Sequence, residues 1–213
     1  MPEEGPYSRG RAIVNLLKLD EGETIKKVLS IPELSQEGFV TMVSAQGKIK
    51  KTSISEFSRP RSTGVIALTI DQDDQLVDVN LTSGENHILM ATRKGKAIRF
   101  HESQIRPMGR QARGVTGIRM RPDDAVIAME VVSDDSGTLL TITQNGLGKR
   151  TSLKEYPPIN RGGQGVITIR TTEKSGDVVT MRVVEDQDHI LILTSGAKII
   201  RLRMEEISVL KIQ

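Results

Sequence analysis

The sequence predicts an all-β, propeller-like fold built from four repeats of about 50 residues. Related turn motifs place a glycine or alanine at positions 47, 95, 146 and 197, which lie 48, 51 and 51 residues apart. Every copy has a cation four residues after this position and a large apolar residue ten residues after it. Nowhere does a 3.6-residue apolar period persist, so we expect little or no helix.

Both offsets identify residues with a shared structural position. The cations are Lys51, Arg99, Arg150 and Arg201, and the apolar residues are Phe57, Ile105, Tyr156 and Ile207. Because a chance repeat would not keep both offsets in all four copies, the repeat is a property of the fold.

The strand pattern is clearest in the second repeat, which predicts strands at 65–70, 76–81, 87–92 and 97–100. The third repeat predicts strands at 115–120, 125–132, 138–143 and 149–153, and the fourth at 166–170, 178–184, 189–194 and 198–202. Four short strands in each repeat predict one four-stranded blade per repeat.

The predicted organisation is a disordered lead-in at 1–8 followed by one domain at 9–213. Its repeats are roughly 9–57, 58–105, 106–156 and 157–207. Stretches rich in Pro, Gly and Arg occur at 58–64, 106–114 and 157–165. Since Pro lacks a backbone donor and Gly is conformationally loose, we interpret these stretches as connectors between blades.

Composition excludes several classes of protein. The chain of 213 residues has no cysteine, which excludes disulfides and thiolate metal sites and fits a reducing cytoplasm. There is no run of about 18 apolar residues that would span a membrane. The N-terminal residues also lack the basic and apolar regions of a signal peptide.

The net charge of +3 conceals a segregation of charge along the chain. Residues 93–121 contain nine cations and one acid, whereas residues 122–143 contain five acids and no cation. Because the charge alternates in phase with the repeat, we expect a basic face and an acidic face on the folded domain.

Several segments together resemble the C-terminal domain of the A subunit of bacterial DNA gyrase. They are Arg-Gly-Arg-Ala-Ile-Val-Asn-Leu-Leu at 9–17, Thr-Ser-Gly-Glu at 82–85, Thr-Gln-Asn-Gly-Leu-Gly-Lys-Arg-Thr at 143–151 and Glu-Ile-Ser at 206–208. The resemblance covers essentially the whole chain and implies a β-pinwheel whose basic rim binds and wraps duplex DNA. The A subunit of topoisomerase IV shares this repeat and remains an alternative.

One departure from the family concerns its signature box, Gln-Arg-Arg-Gly-Gly-Lys-Gly. The nearest string here is Gln-Ala-Arg-Gly-Val-Thr-Gly at 111–117, which is similar to the degenerate copy of an interior blade. The resemblance therefore implies an interior fragment that lacks the first blade.

Residues that could support catalysis have simpler structural interpretations. Tyr156 occupies the apolar position of the repeat, and the resemblance places the cleavage tyrosine of the family outside this chain. His87 and His189 lie 102 residues apart, each just before an apolar strand, as expected of repeat positions. Paired aspartates such as 73–74 fall in turns, where Asp is common. We therefore predict no catalytic residue, no metal site and no cofactor.

The cations instead predict a surface that binds duplex DNA through its phosphates without reading the sequence. The scarcity of aromatic residues, at 2%, argues against stacking on single strands. The candidate DNA-binding residues are Lys48, Lys50, Lys51, Arg59, Arg61, Lys94, Lys96, Arg99, Arg106, Arg110, Arg113, Lys149, Arg150, Arg161, Lys198 and Arg201.

The predicted function is DNA binding and bending as an accessory to negative supercoiling by a type II topoisomerase. The resemblance implies two partners, the gyrase B subunit and the remainder of the gyrase A subunit, and a cytoplasmic protein associated with the nucleoid. No membrane partner is expected, and the isolated domain is predicted to be monomeric. The alternative from another class is a propeller that serves as a protein-interaction platform.

Overall fold

The computed structural model describes residues 19, 22–31, 37–59 and 64–212. The lead-in 1–8, the motif at 9–17 and the candidate Arg61 lie outside these residues. Within them the secondary structure consists of thirteen β-strands and four 3-10 turns. None of the helical turns described could cross a lipid bilayer.

Each repeat contributes one hairpin, and the hairpin ends in a 3-10 turn. The four hairpins are β1 (Phe39–Ser44) with β2 (Lys48–Ser53), β4 (His87–Thr92) with β5 (Lys96–His101), β8 (Thr138–Thr143) with β9 (Gly148–Ser152), and β12 (His189–Leu193) with β13 (Ile199–Arg203). The 3-10 turns are Ile54–Phe57, Glu102–Gln104, Leu153–Glu155 and Met204–Glu206. The remaining strands are β3 (Leu76–Thr82), β6 (Val115–Thr116), β7 (Val126–Val132), β10 (Val166–Ile167) and β11 (Val178–Val184).

The sheets are not made of four consecutive strands, as the sequence pattern suggested. The first sheet has the order β3-β1-β2-β6 and the second has the equivalent order β7-β4-β5-β10. Each sheet therefore combines the hairpin of one repeat with a strand from the next repeat and a short strand from the repeat after that. The third sheet, β11-β8-β9, and the hairpin β12-β13 complete the described strands. Residues 65–70, predicted as a strand, form no strand.

The residues immediately after the connectors 106–114 and 157–165 supply the outer strand of each complete sheet. Residues 115–116 pair with Lys48 and Ile49 of β2, and residues 166–167 pair with Lys96 and Ala97 of β5. On the opposite edge, β7 contacts both β3 and β11, and these contacts join successive sheets. This arrangement puts the Arg-rich connectors on the outside edge of the domain.

Hydrophobic layers between adjacent sheets hold the array together. Side chains of β4 alternate between two layers, with Ile88 and Met90 facing the first sheet and Leu89 and Ala91 facing the third. Because β4 is buried on both faces, its sequence is continuously apolar rather than alternating. Tyr156 is 2% exposed in the layer between the second and third sheets, which confirms its structural interpretation.

Candidate nucleic-acid interface

The cations four residues after each turn link one repeat to the next. Lys51, Arg99 and Arg150 are at most 4% exposed. Lys51 Nζ donates to the carbonyl of Glu102 at 3.0 Å, Arg99 Nη1 to that of Leu153 at 3.4 Å, and Arg150 Nε to that of Ile207 at 2.8 Å. All three acceptors lie in or next to the 3-10 turn of the following repeat.

Carboxylates complete these links between repeats. Arg99 Nη1 lies 2.6 Å from Asp135 Oδ1, and Arg150 Nη1 lies 2.6 Å from Asp186 Oδ1. Lys51 Nζ lies 3.3 Å from the fully buried carboxylate of Glu102. The sequence predicted that Lys51, Arg99 and Arg150 lie on the DNA-binding surface. In the structure they are buried and bond to groups of the following repeat. Their burial leaves them no surface from which to reach a phosphate.

Two lysines three residues after the turn are also buried. Lys50 is fully buried, and its Nζ donates to the carbonyl of Ala67 at 2.6 Å and to that of Arg110. Lys149 is 6% exposed and donates to the carbonyl of Lys211 at 2.8 Å. Burial lowers the pKa of Lys50 to about 8 and also lowers the pKa of Lys149. Because they are buried, Lys50 and Lys149 are also not available for direct contact with a phosphate.

The turns of the hairpins carry cations that remain at the surface. Lys48 and Lys96 are half-buried, Lys198 is exposed, and none of the three has a side-chain hydrogen bond or ion pair within the described residues. Lys94 is half-buried and pairs with Asp177 at 2.9 Å. Arg201, unlike its buried equivalents, is exposed, with Nη2 at 3.4 Å from His189 Nδ1.

The connector arginines differ in how their side chains are engaged. Arg59 and Arg106 are exposed and Arg110 is half-buried, and their guanidinium groups make no ion pair or hydrogen bond in the described part of the chain. Arg113 pairs with Asp71. Arg161 donates from Nε to the carbonyl of Gln104 at 3.2 Å and from Nη1 to that of Thr116, so its guanidinium is committed to the fold.

Four further cations lie on the surface with the hairpin-turn cations, although they are not among the DNA-binding residues predicted from the sequence. Arg93, Arg119, Arg121 and Arg170 are exposed, and the last two line a cleft of about 440 Å³ with Lys94 and Lys96. Arg119 and Arg170 lie 51 residues apart, so the repeat itself could have identified them. The second hairpin turn is the most basic, with Arg93, Lys94 and Lys96. The first and fourth turns carry one surface cation each, Lys48 and Lys198, and the third, Gln144–Leu147, carries none.

A sequence profile described as the DNA gyrase C-terminal domain, beta-propeller, matches residues 39–83, 86–133, 137–185 and 188–211. The chain belongs to this family. It is 44% identical over 209 residues to the A subunit of DNA gyrase from Salmonella typhimurium and 42% identical over 209 residues to that from Escherichia coli. Each alignment covers 98% of this chain and 24% of the relative, so the chain spans about a quarter of the length of these relatives.

Solved structures show the same architecture. The crystal structure of the C-terminal domain of DNA topoisomerase IV superposes with a TM-score of 0.88 at 27% identity, covering 95% of this chain and 63% of that one. A structure of the DNA gyrase A C-terminal domain superposes with a TM-score of 0.86 at 23% identity, covering 96% and 68%. The predicted all-β pinwheel is confirmed. The family match and the sequence relatives favour gyrase over the topoisomerase IV alternative.

The paired aspartates serve as caps on neighbouring hairpins. Asp74 Oδ1 accepts the backbone N–H of Gln46 at 2.9 Å, and Asp124 Oδ1 accepts that of Lys94 at 2.9 Å. Each aspartate thereby fixes the turn of the preceding hairpin. In the part of the chain that is described, no group of three or more His, Asp or Glu residues is arranged to hold a metal ion. Through the bonds of Asp74 and Asp124, the acidic turns help to hold the hairpin turns before Lys48 and Lys96 in place.

Proposed function

We propose that this domain binds duplex DNA without reading its sequence and bends the duplex along the outer edge of the pinwheel. The observation that carries the proposal is the set of surface cations that remains, on hairpin turns one, two and four and in or just after the connectors, when the buried cations and Arg161 are removed. The members whose side chains make no bond to another described residue are Lys48, Arg59, Lys96, Arg106, Arg110, Arg119, Arg121 and Lys198, with Arg93, Lys94, Arg113, Arg170 and Arg201 nearby.

Phosphate contacts account for this pattern better than base recognition does. Long, flexible cationic side chains that are spread over several blades match a backbone that carries a charge at regular intervals. Bending a site of 20–30 bp costs on the order of 1–6 kcal/mol, so contacts spread over several blades are required to offset it. Phe100 and Tyr156 are buried, which leaves little aromatic surface for stacking on single strands.

The wider role follows from the family. We propose that the domain acts within a DNA gyrase as an accessory to negative supercoiling, with the gyrase B subunit, together with the remainder of the gyrase A subunit, as its partners. The catalytic tyrosine belongs in this proposal to another part of the holoenzyme, since Tyr156 is buried among apolar side chains. The same proposal places the protein in the cytoplasm, associated with the nucleoid.

A fluorescence experiment tests the bending directly. A duplex of arbitrary sequence, labelled at both ends with a donor and an acceptor, should show increased energy transfer when the domain is added at low salt. A second duplex of unrelated sequence should respond at the same protein concentration. Tight binding with no change in end-to-end distance would contradict bending, and strong preference for one duplex would contradict a phosphate-based interface.

A further inference from the structure

Lys50 is a buried cation with no carboxylate beside it. It lies on β2, is fully buried, and makes no ion pair with any described residue. Its Nζ donates instead to two backbone carbonyls, those of Ala67 and Arg110. Burying an ammonium group is costly, so hydrogen bonds of this kind are needed to offset the lost hydration.

Packing alone does not require a lysine at this position. The equivalent residues of the second and fourth repeats are Ile98 and Ile200, and Ile98 is 1% exposed in the core. An apolar side chain therefore fills the same place in the same fold. The ammonium group of Lys50 must serve a purpose other than filling space, and its two acceptors indicate which one.

The two acceptors of Lys50 lie in different segments, Arg110 in the connector 106–114 and Ala67 in the segment after the connector 58–64. Arg110 lies in a turn in which the N–H of Ala112 donates to the carbonyl of Gly109 at 3.1 Å. The next carbonyl in this turn, that of Gln111, accepts the hydroxyl of Thr69 at 2.7 Å. Lys50 thus links the turn of the connector 106–114 to β2 and to the segment that follows the preceding connector.

Comparison with the next connector shows what this arrangement achieves. Arg161 lies 51 residues after Arg110 and occupies the equivalent turn above Ile98. Arg161 anchors its own turn by donating from its guanidinium to the carbonyls of Gln104 and Thr116. Arg110 is anchored through its carbonyl by Lys50, and its guanidinium makes no bond in the described structure.

We propose that Lys50 is a positioning residue that holds the backbone of Arg110 so that the guanidinium of Arg110 can contact a DNA phosphate. The inference rests on the proposed function, because it assigns Arg110 to the DNA-binding edge. Lys50 itself never touches DNA. It replaces the anchoring role that the guanidinium performs in Arg161 and leaves the side chain of Arg110 available.

A double-mutant cycle tests this inference. Lys50→Met removes the amine but keeps an unbranched chain, and Arg110→Ala removes the proposed contact. If Lys50 acts through Arg110, each single variant should lose a similar five- to tenfold in affinity for an arbitrary duplex, and the salt slope should fall by about one in each. The double variant should bind no more weakly than either single variant.

Lys149→Met is the matched control, because Lys149 is an equally placed buried lysine whose acceptor is Lys211. Any loss of binding free energy caused by Lys149→Met should add to the loss caused by Arg110→Ala. Additive losses for Lys50→Met and Arg110→Ala, or unchanged affinity in Lys50→Met, would overturn the inference. If the wild-type domain does not bind DNA at all, the proposed function fails instead, which is a distinguishable result.

A chemical rescue separates positioning from general damage to the fold. The chain has no cysteine, so Lys50→Cys can be alkylated at a single site in denaturant and refolded. Aminoethylation restores a lysine-like amine, and propylation adds an apolar chain of similar length. Affinity close to wild type in the aminoethylated protein, with five- to tenfold weaker binding in the propylated one, supports the inference. Equal affinity of the two forms would contradict it.

Discussion

At the residue scale, the use of a cation depends on its offset from the turn. Lys48 is one residue after the turn glycine and stays partly exposed, whereas Lys50 and Lys51 are buried on β2. The two are buried because β2 lies between β1 and the connector and is covered on both faces. The sequence identified these cations and their repetition. The sequence could not show that Lys50 and Lys51 are buried in the fold, because their burial depends on segments that come from other repeats.

Replacing Arg99 should therefore affect stability, whereas replacing Lys96 should not. Arg99→Met removes the bonds to Asp135 and Leu153, and we expect a loss of about 2 kcal/mol in the free energy of unfolding, since Asp135 is half exposed. Lys96→Met should change it by less than about 0.5 kcal/mol. Chemical denaturation measures both values. Equal stability of the two variants would show that Arg99 is not a link between repeats.

Lys50 gives the domain a defined dependence of stability on pH. Burial lowers its pKa from 10.5 to about 8. Between these values the unfolded chain carries a proton on this amine and the folded chain does not, so stability rises with pH. The wild-type protein should gain stability relative to Lys50→Met from about pH 8 to pH 10.5. A difference that stays constant across that range would contradict the lowered pKa.

At the element scale, the hairpin turns tolerate a side chain only where no neighbouring segment packs over them. Gly95 has φ +83°, and a Cβ there would lie 2.0 Å from the carbonyl oxygen of Ile169. Gly146 has φ +82° but no atom within 4 Å of such a Cβ. The fourth repeat already has Ala197 at this position with φ 58°.

Alanine substitutions at Gly95 and Gly146 should lower the free energy of unfolding by different amounts. Gly146→Ala should cost about 1–2 kcal/mol for the left-handed backbone alone. Gly95→Ala should cost more than about 3 kcal/mol, because the segment around Ile169, after β10, must also move. Thermal or chemical unfolding of the two variants measures the difference. Similar losses would mean that the outer segment does not pack over the second turn as described.

Most strands could be predicted from the sequence, but their partners could not. The predicted 87–92, 138–143 and 178–184 match β4, β8 and β11, because apolar runs between turn residues define a strand locally. The composition of each sheet was predicted wrongly, since a strand pattern does not name the strand that pairs with it. Residues 65–70 have a β-branched, apolar sequence and form no strand, because no neighbour offers them a continuous ladder.

At the scale of the whole molecule, the basic edge is uneven. The second hairpin turn, with Arg119 and Arg121 after the connector 106–114, has the highest density of surface cations, whereas the turn 144–147 carries none. DNA should therefore be held chiefly beside the turn of the second sheet. The charge segregation in the sequence predicted a basic surface, and the folded structure narrows which of its cations can contact a phosphate.

Charge reversal at this edge should weaken DNA binding and preserve the fold. The triple variant Lys96→Glu, Arg119→Glu and Arg121→Glu changes only partly or fully exposed side chains. Affinity for a duplex should fall at least tenfold, with unfolding unchanged within about 1 kcal/mol. Lys154→Glu is the control, because Lys154 is an exposed cation at the end of the hairpin opposite the turn. It should bind DNA nearly as the wild type does.

The most direct test of a phosphate-binding edge is the affinity of the wild-type and triple-variant domains for an arbitrary duplex across a salt series. Wild-type affinity should fall steeply between about 50 and 200 mM salt. The slope of log affinity against log salt concentration should be shallower for the variant, by an amount that corresponds to the loss of up to about three phosphate contacts. A wild-type affinity that is independent of salt, or equal slopes for the two proteins, would contradict the assignment of this edge to DNA.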